Sequence, residues 1–201
     1  MRLSRCFAFC LAILTLAGSS FADITAALHL GGGTLTSGMA RSIGWEFTVS
    51  VPVSVTALGV WDEGGNGLSK IHQIGVFRVS DSVLIVGASL VDGASSPLID
   101  GTRFVDVLST PLVPGTHYYI LADEFSTDAY VSGNGSIGFA SHVNWLAVAD
   151  TAANSIFGAP TFTPGTVGNL GPNFRFTVPG PGAPGLLAFG GFLLGARRRR
   201  A

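Results

Sequence analysis

From Ile43 to Val49 apolar and polar residues alternate. Ile43, Trp45, Phe47 and Val49 share one parity, and Gly44, Glu46 and Thr48 share the other. That is the period of a strand with one buried face. Pro52 interrupts the run, and Val53, Val55, Ala57 and Gly59 resume it as far as Trp61. Further strands are predicted at 73–79, 83–91, 103–108, 117–122, 136–140 and 173–178. Turn chemistry separates them: Asp62-Glu63-Gly64-Gly65-Asn66-Gly67, Ser80-Asp81, Asp92-Gly93, Asp100-Gly101 and Pro114-Gly115. Short strands at spacings of roughly 8–12 residues predict an all-β fold, an antiparallel β-sandwich of jelly-roll-like type. Only 144–156 reads as helical, with Asn154 and Gly158 to end it, and no fixed-period repeat is present.

Composition agrees with that reading. Charged residues make up only 11% of the chain, while 28 of its 201 residues are glycine and Lys70 is the sole lysine. The charge is unevenly placed. Six of the eleven basic residues lie at the ends, as Arg2, Arg5, Arg197, Arg198, Arg199 and Arg200. The segment between them keeps five basic residues against all 12 acidic ones, a net of −7. An acidic body without a basic stripe argues against nucleic acid and against docking of the body on anionic lipid. Both cysteines, Cys6 and Cys10, lie in the first ten residues, so the body has no disulfide and no cysteine-based metal site.

The two ends are distinctive. Arg2 and Arg5 precede an apolar run from Cys6 to Ala17, too short to span a bilayer, and Ser20-Phe21-Ala22 places small residues before Asp23. Residues 1–22 therefore read as a secretory signal peptide cut between Ala22 and Asp23. At the other end, Val178-Pro179-Gly180-Pro181-Gly182-Ala183-Pro184 is an extended spacer, because proline blocks helix and sheet pairing. An apolar run from Leu186 to Ala196 follows, then Arg197 to Arg200. As a helix this stub is about 16–20 Å long at ~1.5 Å per residue, short for a ~30 Å hydrocarbon core. The arginines are expected to hold the last residues on the cytoplasmic side of the membrane. The predicted organisation is signal peptide 1–22, β-sandwich 23–177, and a sorting segment with a short hydrophobic transmembrane helix over 178–201.

This order of Pro-rich motif, greasy stub and arginine cluster resembles the PEP-CTERM sorting signal. Val178, Pro179 and Pro181 match its Val-Pro-Glu-Pro-like motif, and Gly180 stands where that family usually has Glu. The resemblance implies processing by an exosortase-like enzyme and transfer toward the outer surface or exopolysaccharide. Two blocks of the body, 56–77 and 103–120, together resemble a β-sandwich domain of unknown function found in exported bacterial proteins with this tail. That likeness runs from about Ile43 to Ala122 and implies fold and location, with no activity to transfer.

Chemistry in the body is sparse. The loop 62–67 offers oxygen ligands at Asp62 and Asn66 suited to Ca²⁺, although Gln73 stands where an EF-hand needs its bidentate glutamate. The bland alternative is a wide hairpin turn with Asp62 capping backbone amides. Gly133-Asn134-Gly135-Ser136-Ile137-Gly138 matches G-x-G-x-x-G but lacks the flanking strand, helix and acid of a dinucleotide site. His29, His72, His117 and His142 show no metal-ligand spacing. Trp61, Trp145 and Tyr130 are candidates for stacking on sugar rings, against core packing as the alternative. The expected protein is a non-enzymatic, exported envelope or matrix component without cofactor. It meets the Sec translocon, signal peptidase and an exosortase-like enzyme, and rests briefly in the inner membrane through its C-terminal helix before reaching the cell surface. The alternative is a carbohydrate-binding module acting on exopolysaccharide.

Overall fold

The computed structural model describes residues 24–133, 135–164 and 168–180. The signal peptide with its Ala22–Asp23 cleavage point, Pro181, the apolar stub and Arg197 to Arg200 all lie outside them. Fifteen strands run through the described residues. They are β1 (Ile24–Ala26), β2 (Leu28–Leu30), β3 (Leu35–Thr36), β4 (Ile43–Val49), β5 (Val53–Trp61), β6 (His72–Arg78), β7 (Leu84–Leu90) and β8 (Leu98–Ile99). After these come β9 (Thr102–Leu112), β10 (Tyr118–Ala122), β11 (Tyr130–Val131), β12 (Ile137–Phe139), β13 (Val143–Thr151), β14 (Pro160–Pro164) and β15 (Pro172–Thr177). The fold is all-β and its sheets are antiparallel, as expected. No helix among the described residues is long and apolar enough to cross a membrane.

One sheet has the order β1-β15-β5-β9-β8 and the other β14-β13-β4-β10-β6-β7, with two small ribbons, β3–β11 and β2–β12, beside them. Three antiparallel pairs are nested in sequence: β6–β7 innermost, then β5–β9, then β4–β10. They alternate between the two sheets, and β13 and β15 extend them beside β4 and β5. Trp45 of β4 stacks on Phe174 of β15 at 5.8 Å, Phe47 meets the same ring at 5.0 Å, and the Trp45 indole N–H donates to the Pro172 carbonyl. The two sheets thus share one core, an arrangement consistent with the expected sandwich. Each fully buried ring of this size stabilises the fold by about 1.5–3 kcal/mol.

The parity read from β4 holds, since Ile43, Trp45, Phe47 and Val49 are all buried in the common core. In β5 it holds only to Val55. The register slips at Thr56, so Leu58 and Val60 take over the core face while Ala57 joins Ala26 and Phe104 in a separate cluster. One extra residue turns every later side chain to the other face. Gly59 is then required, because a Cβ there would stand 2.5 Å from both the Arg103 carbonyl and the Phe104 ring.

The helix expected at 144–156 is absent, and Val143–Thr151 is strand β13 between β4 and β14. Leu146 is skipped in the ladder, with Trp145 opposite Phe47 and Ala147 opposite Glu46. That bulge breaks the period of two and leaves an apolar spacing that imitates a helix.

The ladders also fix the poles of the body. Trp61, His72, Thr102 and Ala122 lie at one end, where β5 crosses to β6. Val49, Val53, Arg78, Leu112 and Tyr118 lie at the other. Ile24 pairs with Thr177, which is bonded in turn beside Ser54, so the first and last described strands begin and finish at this second end.

Candidate functional site

The crossover end is built on three loops that carry almost no regular structure. The first follows β5: a single 3-10 turn over Glu63–Gly65, with Gly64, Gly65 and Gly67 at φ of 72°, 67° and 104°. Such positive φ values suit glycine and explain the Gly-rich sequence there. Asp62 folds this loop onto itself, its Oδ2 accepting from the Gly67 amide at 2.9 Å. The same oxygen accepts from Nε of Arg103 at 2.8 Å. Arg103 enters from β9, opposite Val60. Its Nη1 donates to the carbonyls of Ala94 and Ser96, and its Nη2 to that of Gly65. One guanidinium therefore joins the 62–67 loop to the segment before β8, with both charges almost fully buried.

The second knot centres on His72, which is fully buried at the start of β6. Its Nδ1 meets the backbone carbonyl of Asp123, and its Nε2 meets Asp128 Oδ2 at 3.0 Å. A carbonyl only accepts, so Nδ1 is the donor in the contact with Asp123. Burial pushes the Asp128 carboxyl up, but the bonds from His72 and the Ser69 amide together outweigh it and hold it below the usual carboxylate value. Asp128 also accepts from the amides of Ser69 and Lys70. Asp123, which takes the Gln73 amide at 2.7 Å, moves the opposite way: burial raises its carboxyl above the usual value.

Between these knots lies a polar cavity of about 180 Å³. Trp61, Asp62, Glu63, Asn66, Thr127 and Asp128 are among its lining residues. The structure therefore brings three of the sequence-derived candidates, Trp61, Asp62 and Asn66, to one place. Asp62 Oδ2 is already shared by an arginine and an amide, and among the described residues no group of three or more His, Cys, Asp or Glu side chains is arranged to hold a metal ion.

The other aromatic candidates lie elsewhere. Tyr130 is 2% exposed, with its ring edge-on to Phe125 at 5.8 Å. Trp145 is half-buried on β13, stacked on Phe139 at 6.4 Å, and its buried indole N–H has no partner. Sequence reasoning missed Phe157, 71% exposed and edge-on to Phe77 over a stacked Phe77–Tyr119 pair on the outer face of the six-stranded sheet. No strand pattern frames it, and only the fold shows what lies beneath it.

Two histidines of the body, His72 and His117, contact carboxylates. Both ring nitrogens of His72 are occupied by Asp123 and Asp128, which leaves none for a substrate. His117 pairs with Glu46 on the surface at 2.6 Å. Of the sorting motif, Val178 is half-buried against the core, Pro179 is exposed and Gly180 is half-buried, directly after β15.

Fold and site together define an antiparallel all-β domain with an arginine-braced polar cavity at one end. No family model matches the chain, and no curated protein matches it. Among solved structures it is similar to the infectious bursal disease virus VP2 subviral particle, at 14% identity and a TM-score of 0.21, over 89% of this chain and 48% of that one. The chain spans about half the length of that protein, and a likeness of that degree carries no argument about fold or function.

Proposed function

We propose that this chain is an exported envelope or matrix protein, delivered by residues 1–22 and sorted through 178–201 by an exosortase-like enzyme, with a jelly-roll-like sandwich as the displayed part. The observation that carries the display reading is the pairing of Ile24 with Thr177. The described residues that follow the predicted signal peptide and precede the predicted sorting segment in the chain are thus side by side on neighbouring strands, which supports a body carried at one point and displayed as a unit. The nested strand pairs support the jelly-roll description, because they are what a long antiparallel ribbon wound across two sheets leaves behind.

Cell fractionation with mass spectrometry of the mature ends tests this reading. The expected product begins at Asp23, ends within the 178–181 motif or just beyond it, and is recovered from the envelope or medium. Replacing Pro179 and Pro181 together by alanine leaves the body folded and blocks C-terminal processing. An intact 201-residue chain dissolved in the cytosol overturns the proposal.

A second reading, glycan binding, is favoured by one observation. Trp61, Asn66 and the carboxylates of Glu63 and Asp128 surround a single polar cavity, the mix of aromatic and hydrogen-bonding groups that sugar rings require. Retention of the full chain on envelope polysaccharide, lost in Trp61→Ala, supports it; equal retention of both chains removes it.

A further inference from the structure

The edges of the two sheets are treated differently. Strand β1 offers three residues and β8 two, too few to template another strand. Strand β14 begins at Pro160 and ends at Pro164, so each end of it lacks an N–H donor. Strand β7 has neither protection. It is seven residues long, and from Ser82 to Val91 there is no charge and no proline. Its one irregularity is Ile85, skipped in the ladder close to the turn, and from Val86 to Leu90 the pairing is regular. Among the described residues only β6 pairs with it, which leaves its outer row of amides and carbonyls open. Natural sheets guard such an edge with charge or proline, and an unguarded one is a template for pairing.

We infer that β7 is a self-association edge, pairing antiparallel with β7 of a second copy of this chain about a two-fold axis at Gly87. The sequence is self-complementary about that residue. Val83 and Val91, 45% and 48% exposed, stand four positions either side of it, so in this register each meets the other's counterpart. Charge agrees as well. The body carries a net −7, which repels like copies, but this edge is locally neutral: Arg78 is paired with Asp81 at one end, and Lys70 and Asp92 lie toward the other. The same register brings the Arg78–Asp81 pair of one copy, already neutralised, beside the exposed Asp92 of the second copy. Isologous pairing also uses one surface twice and closes on itself, which stops growth into fibres. The inference does not rest on export or tail processing, because it is read on the purified chain whichever ends that chain carries.

Opposed Cα atoms across an antiparallel pair stand about 4.5–5.5 Å apart, within the range a disulfide spans. Gly87 lies in ordinary strand backbone, and a Cβ there meets only the movable Leu84 side chain and the Ile74 carbonyl at 3.3–3.4 Å. The full chain carrying Cys6→Ser, Cys10→Ser and Gly87→Cys is expected to form a disulfide-linked dimer under mild oxidation. Gly87→Lys and Gly87→Glu, each alone, place like charges directly opposite and weaken association roughly fivefold or more. Mixing the two in equal amounts restores it, while protease resistance stays that of the parent chain. Absence of the disulfide-linked dimer in folded Gly87→Cys protein overturns the inference. So does failure of the mixture to recover, or a cross-link to a different polypeptide. If the charged variants do not fold, the Gly87→Cys result decides alone.

Discussion

Asp62 and Asp81 lie at opposite ends of the body and look alike in sequence, each in a turn rich in small and polar residues. Each binds an arginine, Asp62 with Arg103 at 2.8 Å and Asp81 with Arg78 at 2.6 Å. Each also accepts from a nearby backbone amide, that of Gly67 and that of Val83. What separates them is water. The side chains of Arg103 and Asp62 are 7% and 2% exposed, those of Arg78 and Asp81 40% and 42%. A buried pair has given up its hydration and depends on its partner, whereas an exposed pair loses little when it opens. By distance alone the exposed pair would rank first. Burial reverses the order, and the crossover end is the one held by charge.

The most severe way to break the comparison is Arg103→Ala. It strands a buried carboxylate and removes the donor from the carbonyls of Gly65, Ala94 and Ser96. The expected cost is about 3–5 kcal/mol, seen as a lower urea midpoint at unchanged slope. Arg103→Lys recovers only part of it, since one ammonium cannot reach all four acceptors that the planar fork serves. A loss no larger than that of a surface substitution would mean that the crossover loops hold without the guanidinium.

A smaller effect sharpens the same contrast through pH. Asp128→Asn weakens the bonds to the Ser69 and Lys70 amides and to His72, at a cost of about 1–3 kcal/mol. The Asp128 carboxyl is held low when folded, so its contribution is present above the unfolded value near ~3.9 and is lost as pH falls through the folded one. Asp123 is raised by burial, so its contribution runs the other way: present below ~3.9 and lost as pH rises through its folded value. Unfolding followed from about pH 2 to about pH 7 should show Asp128→Asn flattening the acid side and Asp123→Asn flattening the other. The same slope change from both variants would contradict the opposite environments of the two carboxylates.

How far the sequence carried these features depended on separation along the chain. Strand β4 was legible residue by residue because its alternation shows the core only one face, whereas β5 was legible only as far as Val55, where its register slips. Strand β13 was not, because the skipped Leu146 scrambles its alternation, and β3, β8 and β11 are two residues long, too short to show any period. The loop 62–67 stood out by its glycines, and Trp61, Asp62 and Asn66 did prove to share a cavity. The cation that fixes the loop is 41 residues away, and the acid that fixes His72 is 56 away. Local pattern cannot report such pairs: the loop composition suggested Asp62 as a calcium ligand or as a cap on backbone amides, and the Gly67 amide does bond to it, but nothing in the loop points to Arg103. The fold was legible to the extent that it is periodic; the site is a product of where chain crossings fall.

The mildest test is at the exposed end. Arg78 donates twice to Asp81, through Nε and Nη2, a bidentate pair on consecutive sides of the β6–β7 turn. That hydrogen bonding lowers the Asp81 carboxyl below its usual value, but solvent already competes for every atom involved. Arg78→Ala and Asp81→Ala are each expected to leave the melting temperature unchanged within error in roughly 1 M salt, where charges are screened beyond about 3 Å. The turn should persist, since the Arg78 amide bonds to the Val83 carbonyl and the Ser82 amide to that of Arg78 without any side chain. A clear salt-resistant loss in either variant would show that the exposed pair also holds its end of the fold, and the distinction between Asp62 and Asp81 drawn from burial would fail.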